Sequence, residues 1–368
     1  MGGDIGFVYQ YVYIIIVMIG TMSHLNRYRR FGFESNNNDV ITALFWMIAM
    51  ILLIGFRPLS KAFVDMGSYN RGLRMMNGET FFFTWDTDNK IFDNFFMWWG
   101  CNDYAPQIFF LLVAAIYFGC LYLGIKRLFG CHIFLAYLVY LAAFSTFSYG
   151  VNGIKAGAAA SLFIVALGYI EKKTLCVALM LLSLGFHHSM IMPIAAFVLT
   201  IFFKNPKWYY YGWFACFLLA VFHVTYFQFL FVGMTDEQGA SYLMATEATS
   251  KAHIGFRPDF VLYSAVPVWI GYQLEMKKNM KLSNTYHTLM HFYLATNAIW
   301  MLCMYAEFNN RIAYLSWFVY PIVIIYPFLD DKNTDPHRFI KMRKVVVYHL
   351  GFTMFMTFIY YGLFSLGR

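Results

Sequence analysis

The chain has 368 residues, of which 60% are hydrophobic, 21% aromatic and only 12% charged, with a net charge of +8. A soluble domain carries about 25% charge, so this composition excludes a soluble globular protein and points to an integral membrane protein. The distribution of the positive charge matters more than its sum, and no nucleic-acid partner is expected.

Apolar runs of about 15 to 23 residues recur along the chain, against about 20 needed to cross the hydrocarbon core. They are apolar all round, as in Ile14-Ile15-Ile16-Val17-Met18-Ile19, whereas transmembrane strands alternate apolar and polar positions. Helices satisfy their backbone internally. The expected fold is therefore an all-α polytopic bundle, a single integral membrane domain over 1–368. About twelve spans are expected, beginning near residues 5, 40, 106, 133, 157, 174, 189, 208, 260, 285, 312 and 345. The first has no basic stretch before it and no small-residue cleavage site after it, and reads as a retained helix. Those around 157–170, 174–187 and 189–203 are short enough to tilt, break or stop within the membrane. The six cysteines lack paired metal spacing and argue against a disulfide framework.

With the amino terminus outside, 17 of the 27 Lys and Arg residues fall in the cytoplasm, from Arg27, Arg29 and Arg30 to Arg343 and Lys344. Every cytoplasmic loop then holds at least two, as the positive-inside rule requires. The other ten are Arg57, Lys61, Arg71, Arg74, Lys90, Lys155, Lys251, Arg257, Arg311 and Arg368. The outer face also holds two long loops, 57–105 and 231–259, and long loops are commonly functional. The first is too aromatic to be disordered (Phe81 to Phe83, Trp85, Phe92, Phe95, Phe96, Trp98, Trp99). It is expected to lie as amphipathic helices in the interface. The outer face is the working face.

Arg57, Lys155 and Arg311 stand at outer ends of spans, in GFRP, YGVNGIK and EFNNR. Arg257 stands in a second GFRP before the ninth span. Any one of them can be read as snorkelling to lipid headgroups. Four on the face that the topological rule depletes of positive charge point to a shared anion. Guanidinium forks suit phosphate oxygens, and a lipid-borne diphosphate needs several cations.

In order along the chain come Gly55-Phe56-Arg57, Asp65-x-x-x-Tyr69, an aromatic loop, and Asn152-Gly153-Ile154-Lys155 before the small residues Ala156 to Ser161. Phe186-His187-His188-Ser189 and Asn310-Arg311-Ile312-Ala313-Tyr314 come next. The set resembles the EpsG family of Wzy-like exopolysaccharide and O-antigen polymerases. The family commonly has Arg where this chain has Lys155, which keeps the charge but loses the fork. The resemblance implies a metal-independent glycosyltransferase of the GT-C kind, without a cofactor, at the outer face of the bacterial cytoplasmic membrane. Its substrate would be an oligosaccharide on undecaprenyl diphosphate, polymerised repeat unit by repeat unit, with a chain-length regulator as a possible partner. An O-antigen ligase or membrane acyltransferase is the alternative within the enzymes. A flippase or exporter of lipid-linked sugars is the non-enzymatic alternative, although it should show mid-membrane polar residues and repeated halves.

The reaction needs cations for the leaving diphosphate and a base for the attacking hydroxyl. Arg57, Arg257, Arg311 and Lys155 are assigned to the diphosphate, with Arg71 and Arg74 as further substrate contacts. The base candidates are Asp65, His187, His188 and Glu307. On a helix Tyr69 would share the face of Asp65, so the two could grip one sugar; equally, Asp65 could neutralise Arg57 or Arg71. Adjacent histidines point about 100° apart, so at most one of His187 and His188 faces a cavity. Asp86, Asp88 and Asp93 lack the Gly turn and terminal Glu of a calcium loop and read as solvated acids or sugar acceptors, with no metal expected. Trp85, Trp98 and Trp99 read as interfacial anchors or as platforms for sugars.

Overall fold

The computed structural model describes residues 2–31, 37–245, 254–278, 280–360 and 362. Lys251 and Arg368, both assigned to the outer face by sequence, lie outside the described residues, as does part of the second loop, 246–253. All regular structure among the described residues is helical. The chain divides into two compact units, Met1–Phe186 with Pro336–Arg368, and His187–Asp335.

The first unit opens with α1 (Gly2–Phe31) and α2 (Asn37–Gly55). The first long loop then folds into α3 (Asp65–Met75) and α4 (Lys90–Cys101). These are the helices that the aromatic composition of this loop predicts. The helix α5 (Pro106–Phe129) starts on Pro106, whose missing N–H and fixed φ suit a first turn. It is followed by α6 (Ile133–Leu141), α7 (Phe144–Val151), α8 (Ile154–Gly168) and α9 (Lys173–Phe186). The small-residue stretch Ala158 to Ser161 is fully buried. It lets α8 pack closely, and the Ser183 hydroxyl of α9 donates to the Ala159 carbonyl at 2.7 Å.

The second unit holds α10 (Ile191–Phe202), α11 (Pro206–Val221), α12 (Glu237–Met244) and α13 (Pro258–Gly271), which runs on into a π-helical turn, Tyr272–Lys277. Next come α14 (Asn284–Leu302), α15 (Asn309–Trp317) and α16 (Tyr320–Leu329). The centre of this unit is a polar knot on α14. Asn297 accepts from the Trp213 indole at 2.7 Å and donates to the hydroxyls of Ser264 (3.2 Å) and Ser316 (2.9 Å). Such groups are costly in an apolar bundle unless each finds a partner, and here α11, α13, α14 and α15 supply them to one another. The last helix, α17 (Arg338–Met354), returns to the first unit, where Thr353 donates to the Ala142 carbonyl at 2.8 Å.

Each of the twelve expected starts falls on or beside a helix. Four stretches among the described residues are long and apolar enough to cross a membrane: Ile5–Arg27, Asn38–Gly55, Pro106–Leu141 and Asn309–Leu329. A fifth would join Pro206–Val221 to Tyr226–Met234 across a bend of 114°. The apolar helices Ile154–Gly168, Lys173–Phe186 and His188–Phe202 are shorter, as their sequences predict. Only 22% of the Ile5–Arg27 window and 28% of the Asn38–Gly55 window is buried, against 89% for Asn309–Leu329. An apolar helix left that uncovered by protein needs an apolar solvent, and the bilayer supplies it.

Candidate functional site

In the first unit the local sequence brings GFRP and NGIK together. Arg57 is 1% exposed. Its guanidinium donates to the carbonyl of Ile54, at the end of α2, at 2.7 Å, and to that of Val151, at the end of α7, at 3.0 Å. It lies 5.2 Å from the Phe110 ring and 5.7 Å from that of Phe63. Its Nε finds no acceptor. Burial lowers its pKa to about 10, so it remains charged at neutral pH. Gln107 of α5 completes the clamp by donating to the carbonyls of Gly55 (2.7 Å) and Arg57 (3.2 Å). The charge of Arg57 is thus held by backbone oxygens and is not displayed to a ligand. Lys155 is half-buried in the first turn of α8, four residues after the carbonyl that Arg57 grips.

Beyond Arg57 the chain makes a short turn capped by Ser60 and enters α3 through Val64, whose φ of 41° is rare for a β-branched residue. This turn and α3 enclose a cleft of about 420 Å³ lined by Lys61, Met66, Gly67, Asn70, Arg71 and Arg74, among others. Three cations line it and no carboxylate does. Arg74 is steadied by Asn70, whose Oδ1 accepts from its Nε at 3.3 Å. Asp65 and Tyr69 lie one turn apart on α3, as predicted. Counting 100° per residue puts them roughly opposite Arg71 and Arg74 around that helix. The Tyr69 ring meets Phe92 and Phe96 of α4 edge to face, at 6.1 and 5.7 Å.

The rest of that loop is internally tied. Asp93 accepts from the Asn89 backbone and side chain at the start of α4. Lys90 donates to the carbonyls of Trp85 and Thr87. Trp99 is buried, with its indole donating to Ala105, while Trp85 and Trp98 stay exposed.

In the second unit Arg257 has a different environment from its GFRP twin. It makes a two-pronged pair with Asp259, at 3.0 and 2.6 Å, and sits 3.6 Å over the Phe260 ring. Arg311 is exposed, and among the described residues its charge meets π faces and a hydroxyl. It lies 5.3 Å from the Tyr242 ring and 5.4 Å from that of Phe308, and donates to the Tyr242 hydroxyl at 3.3 Å. The Glu307 amide donates to the Tyr242 carbonyl at 3.1 Å. Tyr242, on α12 in the second long loop, therefore bridges two residues that sequence reasoning had selected separately. Phe308, at φ 49°, makes the left-handed turn between them. His187 caps the short turn His188–Met190 by accepting from the Ser189 amide, and both histidines are half-buried.

The sequence-selected residues thus divide between the two units. Arg57, Asp65, Tyr69, Arg71, Arg74 and Lys155 belong to the first unit; His187, His188, Arg257, Glu307 and Arg311 belong to the second. Gln107, the Val151 carbonyl and Tyr242 were not selected. Tyr242 had a signal, an aromatic residue in a long outer loop, but its partner lies 69 residues away.

The EpsG family model covers residues 41–366. No curated protein and no solved structure matches. With nearly the whole chain covered, this protein belongs to the EpsG family. That membership, with its apolar helices, makes it a membrane protein with a polysaccharide polymerase-like function of the glycosyltransferase type.

Proposed function

Taking membership of the EpsG family as the premise, we propose that this protein polymerises oligosaccharide repeat units carried on undecaprenyl diphosphate. The reaction runs at the outer face of a bacterial cytoplasmic membrane, in a GT-C-like bundle of about twelve spans. An acceptor hydroxyl attacks the anomeric carbon of the donor glycan. The bond from that carbon to the diphosphate oxygen breaks, undecaprenyl diphosphate leaves with the bonding electrons, and the hydroxyl proton passes to a carboxylate or imidazole. No metal takes part, and a chain-length regulator is the expected protein partner.

The single observation that carries this reading is the cleft lined by Lys61, Arg71 and Arg74 without a carboxylate, directly after GFRP. Preorganised cations of this kind stabilise a leaving diphosphate, and loss of one typically costs about 10²–10³ in rate. Arg311, held over Tyr242 and Phe308, is the corresponding cation of the second unit. Glu307 beside it joins Asp65, His187 and His188 as a candidate base. Arg57 then serves as a positioning residue that fixes the end of α2 to the α7–α8 junction, and Arg257 is already paired by Asp259.

The test is incubation of the purified protein with lipid-linked repeat units alone. A ladder of products is expected, and its absence overturns the polymerase reading in favour of a ligase or an exporter. Arg71→Ala/Arg74→Ala and Arg311→Ala are each expected to slow the ladder by about 10²–10³. Both changes fall on exposed side chains, so the unfolding temperature should hold. Near-normal ladders from both variants would remove the cation assignment.

A further inference from the structure

The second unit contains a larger cavity, of about 860 Å³, that is lined by none of the candidate residues named above. It lies at the other end of α14 from Glu307 and Arg311. His287 and His291 occupy the first two turns of that helix, and from His287 to Leu302 the rise is about 22 Å. In the orientation expected from the charge distribution, this is the cytoplasmic end.

Its walls are built for an anion. Lys204, Lys281 and Lys332 line it, one from each of three connections: after α10, before α14 and after α16. None of the three is ion-paired among the described residues. The one acid in the lining, Glu275, has a side chain only 1% exposed. Both of its oxygens are taken, one by the Tyr210 hydroxyl at 2.7 Å and the other by His287 Nδ1 at 2.5 Å. A carboxylate that close fixes the proton on Nδ1 and leaves His287 Nε2 for the cavity. Glu275 itself sits on the π-helical turn that ends α13, a local widening found frequently at functional sites.

His291 is the independent sign of a missing partner. It is 4% exposed, stacks on Tyr209 at 4.4 Å, lines the same cavity, and its Nε2 has no hydrogen-bond partner. A buried polar atom left unpaired is rare, and a ligand oxygen would reach Nε2, which has under 1 Å² accessible, once the imidazole turns toward the cavity. The volume is within the range of small-molecule sites, about 300–1,000 Å³, and well beyond a single ion.

We propose that this cavity binds a phosphate-bearing ligand, with Lys204, Lys281 and Lys332 neutralising the phosphate, His291 donating to one of its oxygens and His287 Nε2 accepting from a ligand hydroxyl. The phosphate arrives either on a soluble small molecule or as the headgroup of an acidic phospholipid. This site stands whether or not the chain polymerises glycans, because what is measured is binding.

The experiment uses the full chain carrying Arg71→Ala, Arg74→Ala and Arg311→Ala, so that the other exposed cations do not contribute. In phosphatidylcholine nanodiscs it is titrated calorimetrically with inorganic pyrophosphate and with uridine diphosphate. In a second arm, phosphatidylglycerol nanodiscs are used and retained lipid is read by native mass spectrometry. Saturable binding in the first arm identifies a soluble ligand, and retained phosphatidylglycerol in the second identifies a headgroup. Either should weaken at least about tenfold in Lys204→Gln/Lys281→Gln/Lys332→Gln, because the charge-assisted hydrogen bonds to the phosphate are lost. All three lysines are exposed; Lys204 also donates to the Thr200 carbonyl at 2.6 Å, a bond that a Gln side chain can replace, and an unchanged unfolding midpoint is the check that the variant folds. Absence of binding in both arms, or equal binding by the lysine variant, overturns the proposal.

Discussion

Gly55 to Pro58 and Gly255 to Pro258 are the same four residues, and their arginines end in opposite circumstances. Arg57 reaches across 94 residues to a carbonyl at the end of α7 and is closed off from solvent. Arg257 turns back onto Asp259, two residues on, and stays part-exposed. In one case the charge organises the fold at long range; in the other it is settled locally. The difference is not in the tetrapeptide but in the next two residues, Leu59-Ser60 in the first stretch and Asp259-Phe260 in the second. A shared motif therefore says which chemical group is present, while its neighbours decide whether that group is available.

The strongest way to break this contrast is Arg57→Ala. It leaves the Val151 carbonyl without the guanidinium, the Ile54 carbonyl with only the residue-57 amide at 3.4 Å, and two rings without their cation, and should cost about 2–4 kcal/mol. The loss should appear as a large fall in the unfolding midpoint in detergent, whereas Arg257→Ala should cost under about 1 kcal/mol. Equal losses would mean that the burial of Arg57 contributes nothing special.

The glycines that open the two stretches give the next largest effect. A Cβ added at Gly55 would meet Leu111 of α5 at 2.7 Å, and its Cα at 2.9 Å, so α2 would have to move away from α5. Gly55→Ala should cost about 1–3 kcal/mol. Gly255 instead has a φ of 154°, which strains a side chain only locally, and Gly255→Ala should cost about 1 kcal/mol. Thermal unfolding of the two variants side by side checks the order, and the reverse order would make the second stretch the tighter one.

The smallest effect belongs to Asp259→Asn. The pair it weakens is about one-fifth exposed on each side, so the loss should be about 1 kcal/mol or less and should shrink in high salt. A salt-independent loss of several kcal/mol would show instead that Arg257 is held as firmly as Arg57.

How much of this was legible depends on where the partners lie. Twelve helix starts could be read because apolar runs are local. The number of spans could not, because α6 is nine residues of fully buried protein core and, by length and hydropathy, merges with α5 into a single candidate stretch. The Asp65–Tyr69 spacing gave a shared helix face, and the aromatic loop gave α3 and α4. The fate of Arg57 was hidden because its acceptors are backbone carbonyls, which no residue type announces. That of Arg257 is legible in principle, because its partner Asp259 stands only two residues on. The second cavity left a trace as well: Glu275 at the edge of an apolar run, and His287 and His291 four apart in the next one. Their meeting depends on a π-helical turn, which the sequence pattern does not reveal.

The knot around Asn297 also bears on how the chain is made. Trp213 and Ser264 emerge from the ribosome before Asn297, and Ser316 after it. When α14 enters the translocon, two of the three groups that shelter its amide have already been synthesised, and the third arrives with α15. Deleting or reordering these helices would leave the amide facing lipid during insertion. Chain order itself is therefore part of how this polar centre is assembled inside an apolar bundle.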